Sequence, residues 1–156
     1  MATKEEVTTV LLANVQRAEK IAVTLSEADL TRPVYENGWT VKEVFAHLAA
    51  MGGSPAFFLG MAASGGGFSG NFDVDALNSH QVESRKARPL LDLLAEFRQG
   101  HEKGVALINA TPDEVLEKKV ADPFMGGMST ALELILNSCS DYEGMHLDDL
   151  VAALRR

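Results

Sequence analysis

Cysteine occurs once, at Cys139, so an intramolecular disulfide is excluded and a reducing compartment is expected. Cations are also in short supply: 14 Lys and Arg stand against 22 Asp and Glu, for a net charge of −8. A surface that tracks nucleic-acid phosphates needs clustered cations, so that class of partner is excluded. The opening MATKEEVTTV lacks the basic segment and apolar run of a secretory signal. No apolar stretch reaches the roughly 18 residues of a membrane span, and a cytoplasmic protein without a membrane partner is expected. Sustained period-2 alternation rich in β-branched residues is missing too, which leaves no reading as a sheet. With no internal repeat and no second domain in view, the 156 residues are expected to form one domain, 1–156, large enough to bury a core unaided.

What the chain does carry is helical periodicity. Between Thr3 and Leu25 apolar residues recur at Val7, Val10, Leu11, Ala18, Ile21, Ala22 and Leu25, with Asn14 the one polar member of the stripe. Thr3 with Glu6, and later Thr40 with Glu43, have the spacing of capping boxes. The second stripe runs through Val41, Val44, Phe45, Leu48, Met51, Phe58, Leu59 and Ala62, and Gly52-Gly53 with Pro55 should bend it. SGGGFSGN (64–71) reads as a loop. Helical pattern resumes from Asn71 through Val82, and Arg88-Pro89 interrupts it. Pro89 suits the first turn of a helix striped by Leu90, Leu94, Phe97, His101, Val105 and Ile108. Periodicity alone leaves open whether 72–109 is one kinked helix or two. After a short turn near Thr111 and a loop over 122–129, a last helix spans about Thr130 to Leu154. Four long amphipathic helices predict an all-α four-helix bundle, the 111–129 connection allowing a crossover.

Three histidines bear on function. His47 lies about 80° from the centre of its stripe, at the border between core and solvent or a partner helix. His146 lies inside the last stripe, Leu132, Ile135, Cys139, Glu143, His146, Leu150 and Leu154. There it needs hydrogen-bond partners or a metal, since an unsatisfied buried polar group costs about 1–3 kcal/mol. Tyr142 at i−4 shares its helix face, and Glu143 at i−3 makes a Glu-x-x-His pair; no second such pair exists to complete a di-metal carboxylate site. His101 falls on the apolar stripe of the 90–110 segment, open to a structural or a functional reading. His80 looks exposed. Cys139 is two turns, about 10 Å, from His146, too far to share a metal with it, and reads as a small buried thiol.

Gly38 to Ala50, GWTVKEVFAHLAA, resembles the second helix of the DinB/YfiT-like superfamily. It is most similar to the branch that includes the N-terminal domain of mycothiol-dependent maleylpyruvate isomerase. Residues 72–102, with Asn78 and the Arg88-Pro89 break, resemble the middle helix of that branch, and DYEGMHLDDLVAALRR (141–156) its final helix. The resemblance implies a four-helix bundle with one long crossover, assembly as a homodimer, and a divalent metal, zinc or nickel, held by three histidines. One of these belongs to the second helix and two, spaced His-x-x-x-His, to the last. Residue by residue they fall on His47, Tyr142 and His146, so tyrosine stands where the middle histidine is expected. A neutral phenol is a poorer ligand than imidazole, and two protein ligands hold a metal less tightly than three.

Two functions follow. In the first, a divalent metal on His47 and His146, helped by Tyr142 or Glu143, supports transfer, isomerisation or hydrolysis of a small molecule with a low-molecular-weight thiol as cosubstrate. In the second, the bundle is a non-catalytic small-molecule binder with a degenerate metal site, its interior offering Trp39, Phe58, Met61, Phe97, Tyr142 and His146, with His101 and Glu143 as further ligand-binding candidates. A third, structural reading makes His47, Tyr142 and His146 a polar network of the core.

Overall fold

The computed structural model describes residues 1–36, 38–65 and 73–156. Four long helical rods form it. The first is α1 (Lys4–Ala22), which opens on the Thr3/Glu6 capping box. A one-turn α2 (Glu27–Leu30) follows. The second rod is α3 (Val41–Met51), opened by the Thr40/Glu43 box, and α4 (Ser54–Ser64), with Gly52-Gly53 at the break and Pro55 in the first turn of α4. The segment 72–109 resolves into two helices, α5 (Val74–Glu83) and α6 (Leu90–Ala110), with Pro89 as the N-cap of α6 rather than inside its first turn. After a short α7 (Asp113–Leu116), the last rod combines α8 (Ala131–Asn137), a π-helical turn over Ser138–Glu143 and α9 (Gly144–Leu154). The loop expected over 64–71 lies outside the described residues, apart from Ser64 at the end of α4 and Gly65, whose φ of 69° ends that helix in the left-handed region.

Three expectations need correction. The 122–129 segment is more than a loop: β1 (Lys119–Ala121) and β2 (Met128–Thr130) pair antiparallel. The Asp122 carboxylate accepts from the Phe124 and Met125 amides and the Ser129 hydroxyl, and Gly126 and Gly127 supply the positive φ of the turn. Strands of three residues are too short for alternation to register. The buried stripe of α6 runs through Leu93, Phe97, His101, Gly104 and Ile108, with Leu90 and Leu94 only partly buried. The third correction concerns residues 41–64, which are long and apolar enough to cross a membrane by length and composition, although more than half of their most apolar 18-residue stretch is buried in the bundle.

Round the bundle, α1 and the α3–α4 rod each lie against both α6 and the last rod. α1 and α3–α4 therefore occupy opposite corners, and so do α6 and the last rod. The connection carrying α7 and the hairpin crosses the end of the bundle, which is the long crossover. α3 packs on α5, α6 and α9 at once, and every residue from Val44 to Ala49 is buried. A helix enclosed on several sides has no solvent border, so His47 is core, 4% exposed, and not at an edge.

Candidate functional site

His47 on α3 and His146 on α9 meet inside the bundle, with ring centroids 4.8 Å apart and planes at 84°. Trp39 lies 4.8 Å from the His47 ring and 6.2 Å from that of His146. It comes from the loop before α3, which closes through Val34 N–H to the Trp39 carbonyl and Val41 N–H to the Arg32 carbonyl. The same loop brings in Tyr35, whose hydroxyl lies 2.7 Å from both His146 Nδ1 and Asp149 Oδ2. A phenol has one proton and an ionised carboxylate only accepts, so Tyr35 donates to Asp149 and His146 Nδ1–H donates to Tyr35. In the neutral ring, that leaves His146 Nε2 as a bare lone pair. His47 Nδ1 is buried with no hydrogen-bond partner among the described residues.

Burial, with the neighbouring His146 adding to it, pushes His47 down to about 3 from an ordinary 6.5. Burial also lowers His146, against the opposing pull of Asp149. Both rings are therefore neutral near pH 7. Burial and the Asp149 bond raise Tyr35, which stays protonated. Between about pH 6.5 and 3 the unfolded chain takes up a proton at His47 that the folded chain refuses. Stability from this residue is complete above that window and lost as pH falls through it. Metal-free protein is expected to lose about 2 kcal/mol from His47 alone between pH 7 and pH 5. Urea midpoints of wild type and His47→Gln at the two pH values check this: the variant should show a clearly smaller drop.

Other candidate residues stand elsewhere. Glu143 turns to α6 instead of pairing with His146: its Oε1 is 2.9 Å from His101 Nε2 and accepts from Asn14 Nδ2 at 3.0 Å. Tyr142 sits in the π turn, 38% exposed, with its ring on Phe124 at 5.8 Å. The expectation of a face shared with the buried His146 assumed an unbroken α-helix. Phe58 belongs to another apolar cluster and meets Phe57 and Phe124. Trp39 packs against the other cluster, with His47 and His146 beside it. His80 is exposed. A surface cavity of about 330 Å³ is lined by Met1, Ala2, Glu6, Ser129, Glu133, Leu136 and Asn137, none of them a candidate. Sequence reasoning missed Tyr35 and Asp149. Asp149, one turn beyond His146, was the available signal.

The fold is a four-helix bundle with a histidine pair between its second and last rods. The family model described as Mycothiol maleylpyruvate isomerase N-terminal domain matches residues 11–151, and the chain belongs to that family. Among solved structures, YfiT from Bacillus subtilis, described as a probable metal-dependent hydrolase with an unusual four-helix bundle topology, superposes with a TM-score of 0.78 at 20% identity, covering 98% of this chain and 86% of that one. The mycothiol-dependent maleylpyruvate isomerase superposes with a TM-score of 0.69 at 14% identity, covering 97% of this chain and 60% of that one. The chain thus spans three-fifths of that longer isomerase. No curated protein matches the sequence.

Proposed function

We propose that the chain acts on a small molecule with a divalent metal, zinc or nickel, held by His47 and His146, and with a low-molecular-weight thiol as cosubstrate. The observation that carries this reading is the Asp149–Tyr35–His146 relay. A histidine whose far nitrogen donates into a carboxylate-backed chain is oriented as metal-ligating histidines are, and here the relay leaves Nε2 unprotonated. His47 fits as well, as a neutral imidazole with a buried nitrogen unpartnered among the described residues. Tyr142 does not fit: it is half-turned to solvent against Phe124. The protein thus offers two donors. A metal there would polarise a substrate oxygen or acidify a bound thiol. The chain's own contribution is to keep both imidazoles neutral, to fix the His146 ring through Tyr35, and to shield the pair under Trp39.

The missing third ligand favours a second reading, a small-molecule binder whose metal site has been vacated. Metal analysis of untagged protein separates the two. On the first reading His47→Ala or His146→Ala lowers metal content by one equivalent, and Tyr35→Phe weakens binding by about 10- to 100-fold. If the natural chain holds no more metal than His47→Ala, the vacated-site reading holds. Homodimeric assembly and residence in the cytoplasm belong to the same proposal, the former checked by sedimentation.

A further inference from the structure

We propose that His101, Cys139 and Glu143 form a second, sealed site for one zinc-class cation, tying α6 to the π turn of the last rod. The site shares no residue with the His47–His146 pair and does not depend on the function proposed for it. One donor atom from each of the three side chains lies within 4.8 Å of the others. Their exposures are 0%, 1% and 0%. His101 Nε2 and Glu143 Oε1 engage each other, whereas His101 Nδ1 and Glu143 Oε2 are buried with no partner among the described residues. Cores pair such atoms as a rule, and each orphan calls for an explanation. A cation taken up by His101 Nε2, Cys139 Sγ and the Glu143 carboxylate supplies one for Glu143 Oε2.

The chemistry of the donors names the class of ion. Thiolate, imidazole and carboxylate together suit zinc and its borderline-soft neighbours, while magnesium and calcium take oxygen ligands. Charge agrees: a divalent ion with one thiolate, one carboxylate and a neutral imidazole sums to zero, as a dry interior requires. Burial and Glu143 hold the free Cys139 thiol well above its ordinary range, so it carries its proton when no metal is bound. On binding, the S–H bond breaks, a metal–sulfur bond forms and that proton leaves to solvent; nothing is oxidised or reduced. Asn14 orients the set: its Nδ2 donates to Glu143 Oε1 at 3.0 Å and to the Cys139 carbonyl at 2.9 Å. Cys139 and Glu143 both lie in the π turn, a geometry that recurs at functional sites.

Cobalt(II) is the probe, added to untagged full-length protein both folded and during refolding from urea, so that burial cannot block entry. Cys139 is the one thiol in the chain, so a thiolate-to-cobalt charge-transfer band in wild type reports this site without any variant. The expected result is that band, with about one proton released from the thiol per cobalt. It should persist in His47→Ala and vanish in Cys139→Ser. Asn14→Ala, a change to a positioning residue, should keep the band but weaken binding by about 10- to 100-fold. No thiolate band in wild type under either condition overturns the proposal, as does a band that survives Cys139→Ser or is lost in His47→Ala. Loss of metal from His47→Ala with the band intact would leave the two centres independently established.

Discussion

Glu143→Ala is expected to lower stability by about 3–5 kcal/mol in metal-free protein, a loss comparable with a third to a half of what a domain of this size possesses. The carboxylate is fully buried and joins three rods: His101 on α6, Asn14 on α1 and its own π turn. His101 bridges the diagonal of the bundle to reach it. Alanine removes the acceptor and leaves His101 Nε2 and one Asn14 bond without a partner, and groups stranded in this way carry their full desolvation cost. Glu143→Gln retains an acceptor oxygen and should cost less, about 1–2 kcal/mol. Urea unfolding in EDTA reads both. Equal losses for the two variants would show that the carboxylate's charge, and neither side-chain volume nor a neutral acceptor, matters at this position.

Gly100→Ala is expected to cost at least about 3 kcal/mol, at the upper end of overpacking effects. A Cβ at Gly100 would stand 2.3 Å from the Gly52 carbonyl oxygen and 2.5 Å from its carbon, both backbone atoms. No rotamer change relieves that clash, so α6 and the second rod must move apart. Gly52 is also confined, though less severely, with Glu96 O and Phe97 Cα at 3.1 and 3.2 Å from its own Cβ position. Gly60→Ala is the control. Among the described residues nothing lies within 4 Å of its Cβ position, and in an exposed helix interior alanine should stabilise by about 0.5–1 kcal/mol. Thermal melts of the two variants should shift in opposite directions.

The rods were legible because their signals are local. Thr3 with Glu6 and Thr40 with Glu43 form the capping boxes that their spacing predicts, and the glycines and prolines at 52–55 and 89 mark real breaks. What was not legible is what neighbouring rods decide. His47 is buried because three helices enclose α3, a fact that its own periodicity does not contain. Tyr35 reaches His146 across 111 positions of sequence from an irregular loop. Asn14 was visible as the polar member of an apolar stripe, but its partners are 125 and 129 positions away. The π turn had no signature, and it is the turn that sends Glu143 to α6 and leaves Tyr142 partly in solvent.

The second rod's apolarity has a cost outside the native state. Residues 41–64 satisfy the length and composition of a bilayer span, and only enclosure by neighbouring rods hides them. A chain that has lost its tertiary packing, as either variant above would encourage, presents lipid and chaperones with a 24-residue greasy ligand. Damaged copies should therefore partition into membranes or insoluble deposits instead of refolding.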